Sequence, residues 1–295
     1  MDIQKLLPFL GMPALLIAVE ILALLLSSPL QESGAMAFED PSAVENSLIF
    51  IFFLLVMTAI MLILIRVRVK WFIKYFIAFA IATSLFYVFL AIATILTGGT
   101  FCGFVLSIMF AIIATVILYK YPEWYVIDAF GILIAAGVAS IFGISLAILP
   151  VLILLVLLAV YDAISVYRTR HMITLAEGVL ETKAPILFVI PKKADYSFVR
   201  EGVSMQKGER GAFIMGMGDL IMPTILVVSA NVFLRGETTV ILTIPALGAM
   251  AGSFVGLAVL MHFVSRGRPQ AGLPPLNAGT IGGFLLGCAI AGAWG

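Results

Sequence analysis

Nine apolar runs constrain what this chain can become. Stretches of about 18 or more apolar residues are long enough to cross the ~30 Å hydrocarbon layer as helices. They fall at 6–29, 47–65, 72–96, 101–119, 126–144, 146–167, 212–234, 239–264 and 275–294. In hydrocarbon every backbone N–H and C=O must find a partner within the protein, so runs of this length are read as helices. The stretch 126–167 is broken only by Gly143, Ser145 and Pro150, and it is too long for one crossing, so it is expected to fold back as two helices. With 63% hydrophobic and 11% charged residues the chain reads as an all-α membrane protein of nine transmembrane helices. The first run follows Lys5 in the manner of a signal peptide, but it is long enough to span and shows no small-residue cleavage site before Pro29. It is expected to remain as the first helix.

The placement of Lys and Arg gives an independent check on the count. Lys5 precedes the first run; Arg66, Arg68, Lys70 and Lys74 flank the second loop; Lys120 lies in the fourth; the sixth runs from Arg168 to Arg210; Arg266 and Arg268 lie in the eighth. The odd loops carry only Arg235, and the first of them, 30–46, is acidic. By the positive-inside rule the protein is a multi-pass protein of the cell membrane with a cytoplasmic N-terminus and an outside C-terminus. It divides into helices one to six (1–167), a cytoplasmic loop (168–211) and helices seven to nine (212–295). The net charge of +1 says nothing about nucleic acid, and no basic run interleaved with aromatics suggests it, so no nucleic-acid partner is expected and the lipid bilayer is the surrounding medium. Trp71 and Trp124 fall at predicted cytoplasmic boundaries, and Asp128 follows Lys120 closely enough to be interfacial; neither feature calls for a function. Cys102 and Cys288 both lie in apolar runs and read as packing residues.

Two carboxylates stand out against this background. Ionisable groups in hydrocarbon are costly and usually functional, yet Tyr161-Asp162 closes the sixth run and Gly216-Met217-Gly218-Asp219 opens the seventh. Asp162 lies six residues before Arg168, about 9 Å in, and Asp219 nine residues after Arg210, about 14 Å in, at the helical rise per residue. Antiparallel helices joined by the sixth loop would bring the two together. Each Asp could instead simply bond a neighbouring helix. Gly216 and Gly218 loosen the helix on one side of Asp219, and Pro223 offers no N–H to the Asp219 carbonyl on the other. A weakened helix beside paired carboxyls suits water-mediated hydrolysis of a peptide bond.

These residues resemble the presenilin and signal peptide peptidase family of intramembrane aspartyl proteases, in the form of a prokaryotic-type presenilin homologue. The resemblance rests on Tyr161-Asp162, on Gly216-Met217-Gly218-Asp219 and on a proline-leucine motif at the ninth run, in that order on nine helices. The family's last motif reads Pro-Ala-Leu. That triplet occurs here as Pro245-Ala246-Leu247 inside the eighth run, whereas Leu273-Pro274-Pro275-Leu276 stands at the mouth of the ninth. Position is preferred to spelling, and the role is assigned to Pro274, Pro275 and Leu276 as an extended approach to the ninth helix. The resemblance implies a presenilin-like fold, catalysis by Asp162 and Asp219 with a water, no cofactor and no metal, and proteins with transmembrane helices as substrates. It also implies an extended partner for the unwound substrate, for which 184–190 is the candidate, the alternative being a hydrophobic loop on the bilayer surface. Self-cleavage between Arg168 and Arg210 is a further expectation.

Other functions leave weaker marks. A proton-coupled secondary transporter or ion channel would also carry intramembrane acids, but paired halves with matching interruptions are not visible. Glu20, deep in the first run, has no evident partner. His-Glu-x-x-His is absent, which disfavours a metalloprotease. Gly143-Ile144-Ser145 lies far from His171 and His262, which disfavours a serine protease. Prepilin peptidases share the Gly-x-Gly-Asp run but lack the other two motifs. Gly248, Gly252 and Gly256, and Gly279, Gly283 and Gly287, form four-residue stripes suited to close helix packing and, secondarily, to a homo-oligomer.

Overall fold

The protein is described by a computed structural model covering residues 3–67, 69–168, 187–191, 196–198, 212–235, 242–264 and 270–292. Six helices come first: α1 (Ile3–Glu32), α2 (Glu45–Arg66), α3 (Lys70–Thr97), α4 (Phe101–Lys120), α5 (Trp124–Ser145) and α6 (Ile148–Tyr167). A two-stranded ribbon follows, β1 (Leu187–Pro191) with β2 (Ala212–Gly216). The described chain closes with α7 (Met217–Phe233), α8 (Ile244–Val264) and α9 (Leu273–Ala291). Eight of these nine helices are long and apolar enough to cross a membrane. The exception, α7, is only about 25 Å long at the helical rise.

The short α7 corrects the expected seventh span. Residues 212–216 are strand, and the helix begins at Met217, directly after Gly216 in an extended conformation. Asp219 therefore lies in the first turn of α7, and its position cannot be reckoned by helical rise from Arg210. The backbone of these residues finds partners in an antiparallel ladder, pairing Leu187 with Gly216 through to Pro191 with Ala212. The described part of the 184–190 segment is thus a strand with Phe188, Val189 and Ile190 buried, and not a loop on the bilayer surface. Residues 184–186, His171 and the proposed self-cleavage region apart from β1 and 196–198 lie outside the described residues.

One core joins α1, α5, α6, α7, α8 and α9 and part of α3 with the ribbon, and a second joins α3, α4 and α5. Almost every side chain of α7 from Leu220 to Asn231 is buried, so this helix runs through the middle of the bundle. Large apolar side chains on the rim, such as Phe79, Leu96 and Ile290, are exposed as a lipid-facing surface would be. Polar side chains inside are tied to backbone carbonyls: Ser140 to Ala23 at 2.9 Å, Ser229 to Leu146 at 2.7 Å and Asn277 Nδ2 to Leu155 at 2.9 Å. Ser145 belongs to this class, donating to the Ile141 carbonyl and accepting from the Ala37 N–H at 2.7 Å.

The two glycine stripes meet each other. A Cβ on Gly256 would fall 2.8 Å from the Leu276 Cα, and one on Gly279 2.8 Å from the Gly256 amide nitrogen, so α8 and α9 touch backbone to backbone. This contact fixes the start of α9 against α8. Pro245 does not interrupt its helix. It stands in the first turn of α8, where a proline costs little, next to Thr243, whose hydroxyl accepts the Ala246 N–H.

Candidate active site

Asp162 and Asp219 converge on one peptide, Gly272-Leu273. Asp162 stays within unbroken helix, five residues before the end of α6, and is buried. Its Oδ2 accepts the Leu273 N–H at 3.1 Å, and the carboxyl also accepts the Gly272 N–H. The reason lies in the start of α9. The first four N–H groups of a helix lack intrahelical acceptors. Here the four positions are Gly272, Leu273, Pro274 and Pro275. Two are prolines with no N–H, and Asp162 takes the other two. No donor at this helix end is left over, and the carboxylate sits where the helix dipole favours negative charge.

Asp219 reaches the same peptide. A Cβ built on Gly272 would lie 2.8 Å from the Asp219 Cγ and Oδ2 and 2.9 Å from Oδ1. No side chain fits there, so Gly272 is the residue that lets the second carboxyl approach. Asp219 is the third residue of α7, and its carboxyl accepts the N–H of Gly216, the residue capping that helix. This is the return half of a capping box, in which an acid three residues in satisfies the amide of the cap. The two carboxyls are near enough for the charge of Asp162 to act on Asp219. Asp162 is closed off, whereas Asp219 keeps partial exposure.

The remaining expected residues take distinct places. Tyr161 precedes Asp162 on continuous helix, and adjacent helical residues do not share a face. A Cβ on Gly218 would meet nothing within 4 Å, so the space beside it is open. One on Gly216 would make only ordinary contact, 3.5 Å from Asp219 Oδ2. Pro274 and Pro275 are in the first turn of α9, not in an extended approach to it, because Leu273 already has helical conformation. Leu276 is fully buried. The literal triplet beginning at Pro245 follows Thr243, which bonds Asn231 and Ala230 at the far end of α7 from Asp219.

Three residues here had no sequence signal of their own. Gly272 precedes the proline-leucine motif but gives no hint of the carboxyl against it. The Tyr167 hydroxyl donates to Gln270 Oε1 at 2.8 Å and accepts the Ala271 N–H at 3.2 Å, holding the approach to Gly272 from the end of α6. Asp128 is buried, with its Oδ1 on the Val189 N–H at 2.8 Å. Glu20 does have a partner: its Oε1 lies 2.7 Å from the Ser253 hydroxyl of α8, while Oε2 has no hydrogen-bond partner among the described residues. No group of three or more His, Cys, Asp or Glu among the described residues is placed to hold a metal.

A model of the signal-peptide peptidase and presenilin aspartyl protease family matches residues 13–293. Two solved structures, each described as a presenilin family intramembrane aspartate protease, in C222 and P2 crystal forms, are 50% identical to this chain. Each alignment covers 96% of this chain and 100% and 98% of the respective structure, with TM-scores of 0.73 and 0.71. Comparison with curated proteins gave no match. With the family model spanning nearly the whole length and two aspartates meeting where α6, α7 and α9 come together, the chain belongs to the signal-peptide peptidase and presenilin family of intramembrane aspartyl proteases.

Proposed function

We propose that Asp162 and Asp219 are the catalytic pair with which this multi-pass membrane protein cleaves transmembrane segments. The observation that carries the reading is the convergence of both carboxyls on Gly272-Leu273. Two carboxyls this close share a proton rather than both ionising, and the proton belongs to the pair. In peptide hydrolysis one carboxylate takes a proton from water while its oxygen bonds to the scissile carbonyl carbon. The protonated partner bonds the carbonyl oxygen as it becomes negative. Return of a proton to the amide nitrogen then lets the C–N bond break. No metal or organic cofactor enters this sequence.

The other residues support the pair. Gly216 donates its amide to Asp219, and Gly218 leaves room beside it for an unwound substrate backbone. Pro274 and Pro275 strip the start of α9 of competing donors, and Leu276 anchors that start in the core against Gly256. Tyr161 lies on a neighbouring face of the α6 end and is assigned to the wall of the site. One chain supplies both carboxyls, and the glycine stripes that had suggested a homo-oligomer are engaged between α8 and α9. The Lys and Arg distribution supports a cytoplasmic N-terminus and an outside C-terminus.

The test is cleavage of a single-span reporter in liposomes by the purified protein beside Asp162→Asn and Asp219→Asn. Each substitution keeps the size of the side chain and removes the exchangeable carboxyl proton. Loss of cleavage in both is expected, and wild-type rates in either would remove that residue from the pair.

A further inference from the structure

We propose that Asp128 is a positioning residue for the reaction, holding β1 from α5 and thereby fixing where β2 delivers Asp219. The proposal rests on Asp219 being one of the catalytic pair.

A two-stranded ribbon of five-residue strands is not stable by itself, so what seats this one matters. The Val189 N–H is given to Asp128 Oδ1 at 2.8 Å, in a buried setting. An amide given to a helix carboxylate is turned away from the partner strand, so Val189 faces Ile214 as a non-hydrogen-bonded pair. Without Asp128 that buried N–H would have no acceptor. One turn further along α5, Gly131 leaves space for the ribbon. A Cβ there would fall 2.9 Å from the Phe188 ring and 3.0 Å from the Met217 methyl. Glu123, which caps the start of α5, takes hold of the same chain segment again beyond β1. Its Oε1 accepts the Ser197 hydroxyl at 2.8 Å, and its Oε2 accepts the Phe198 N–H at 3.1 Å. Two carboxylates at one end of α5 therefore hold this segment on both sides of residues 192–195.

The path to the site is short. Leu187, two residues before Val189, pairs with Gly216, and the Gly216 amide bonds the Asp219 carboxyl. A one-residue slip of a strand turns every side chain to the other face. If Asp128 released β1, the ladder would lose its register stop and Asp219 would drift from Gly272 and Asp162. Asp128 touches neither carboxyl of the pair and acts only through the ribbon.

The test uses the full chain in liposomes with a single-span reporter, measuring kcat and KM per folded molecule, with the thermal transition recorded for each variant. Asp128→Ala is expected to lower kcat by roughly tenfold to a hundredfold, the scale of a small misplacement of a catalytic group, with KM changed far less. Asp128→Asn keeps an acceptor at the same place and is expected to restore most of kcat. Val189→Pro removes the outward N–H while leaving the ladder's own N–H donors in place; it is expected to lower kcat at least as far as Asp128→Ala, and the double variant to be no worse than Val189→Pro alone. A wild-type kcat in Asp128→Ala, with or without a lowered thermal transition, would overturn the proposal. So would an Asn variant as impaired as the Ala variant, or losses that multiply in the double variant. Should Asp128→Ala fail to fold, Val189→Pro decides alone: normal kcat overturns, lowered kcat supports. Asp219→Ala is run alongside, and if it still cleaves, the assignment of the pair fails whatever the Asp128 variants show.

Discussion

Gly272 lacks a side chain because a carboxyl occupies the place where one would be. Gly272→Ala should therefore cost roughly a hundredfold in cleavage rate by displacing Asp219, with little change in thermal stability; a near-normal rate would mean that the site tolerates the shift. Tyr167→Phe removes one hydroxyl that bonds both Gln270 and the Ala271 amide. A loss of about 1 kcal/mol is expected from such a change, seen as a severalfold lower rate in the same assay. Both aspartates were legible in the sequence because charge in hydrocarbon is rare enough to stand out. Gly272 and Asp128 were not, since nothing local marks a glycine that faces a distant carboxyl or an acid that bonds a distant strand. Asp128 near Lys120 had every outward sign of an interfacial residue, and only the fold shows the Val189 amide against it.

At the scale of elements, the start of α9 and the α8–α9 contact carry the sharpest expectations. Pro275→Ala turns Pro274-Pro275-Leu276 into the Pro-Ala-Leu of the family pattern. Cleavage within about twofold of wild type is expected, since Gly272 and Leu273, which hold Asp162, keep their amides. Gly283→Val places atoms where the Gly252 Cα already lies, 2.8 Å from the position of a Cβ. Overpacking against backbone costs about 1–3 kcal/mol or more, so its thermal transition should fall clearly and activity with it. Eight of the nine described helices were legible because each is an apolar run of membrane-crossing length. The ribbon was not: Ala212-Phe213-Ile214-Met215 continues without a break into the apolar α7, and a short apolar run does not distinguish strand from helix. The prolines of α9 are ambiguous for a similar reason, because proline suits both an extended approach and the first helical turn.

The molecule as a whole is a bundle whose central helix, α7, is buried along most of its length and directly follows a strand of the two-stranded ribbon. That arrangement puts the first turn of α7, the end of α6 and the start of α9 in one place. Glu20 joins α1 to α8 through its Oε1 on Ser253, and its Oε2 has no hydrogen-bond partner among the described residues. The proposed cut by these two aspartates inside a membrane span can be read by mass spectrometry of the products formed from a single-span reporter in liposomes by the wild-type protein, Asp162→Ala and Asp219→Ala. Wild-type products that end within the span, and no such products from either variant, are expected. Span cleavage that persists in either variant, or wild-type cuts confined to the reporter's flanking segments, would contradict the proposal.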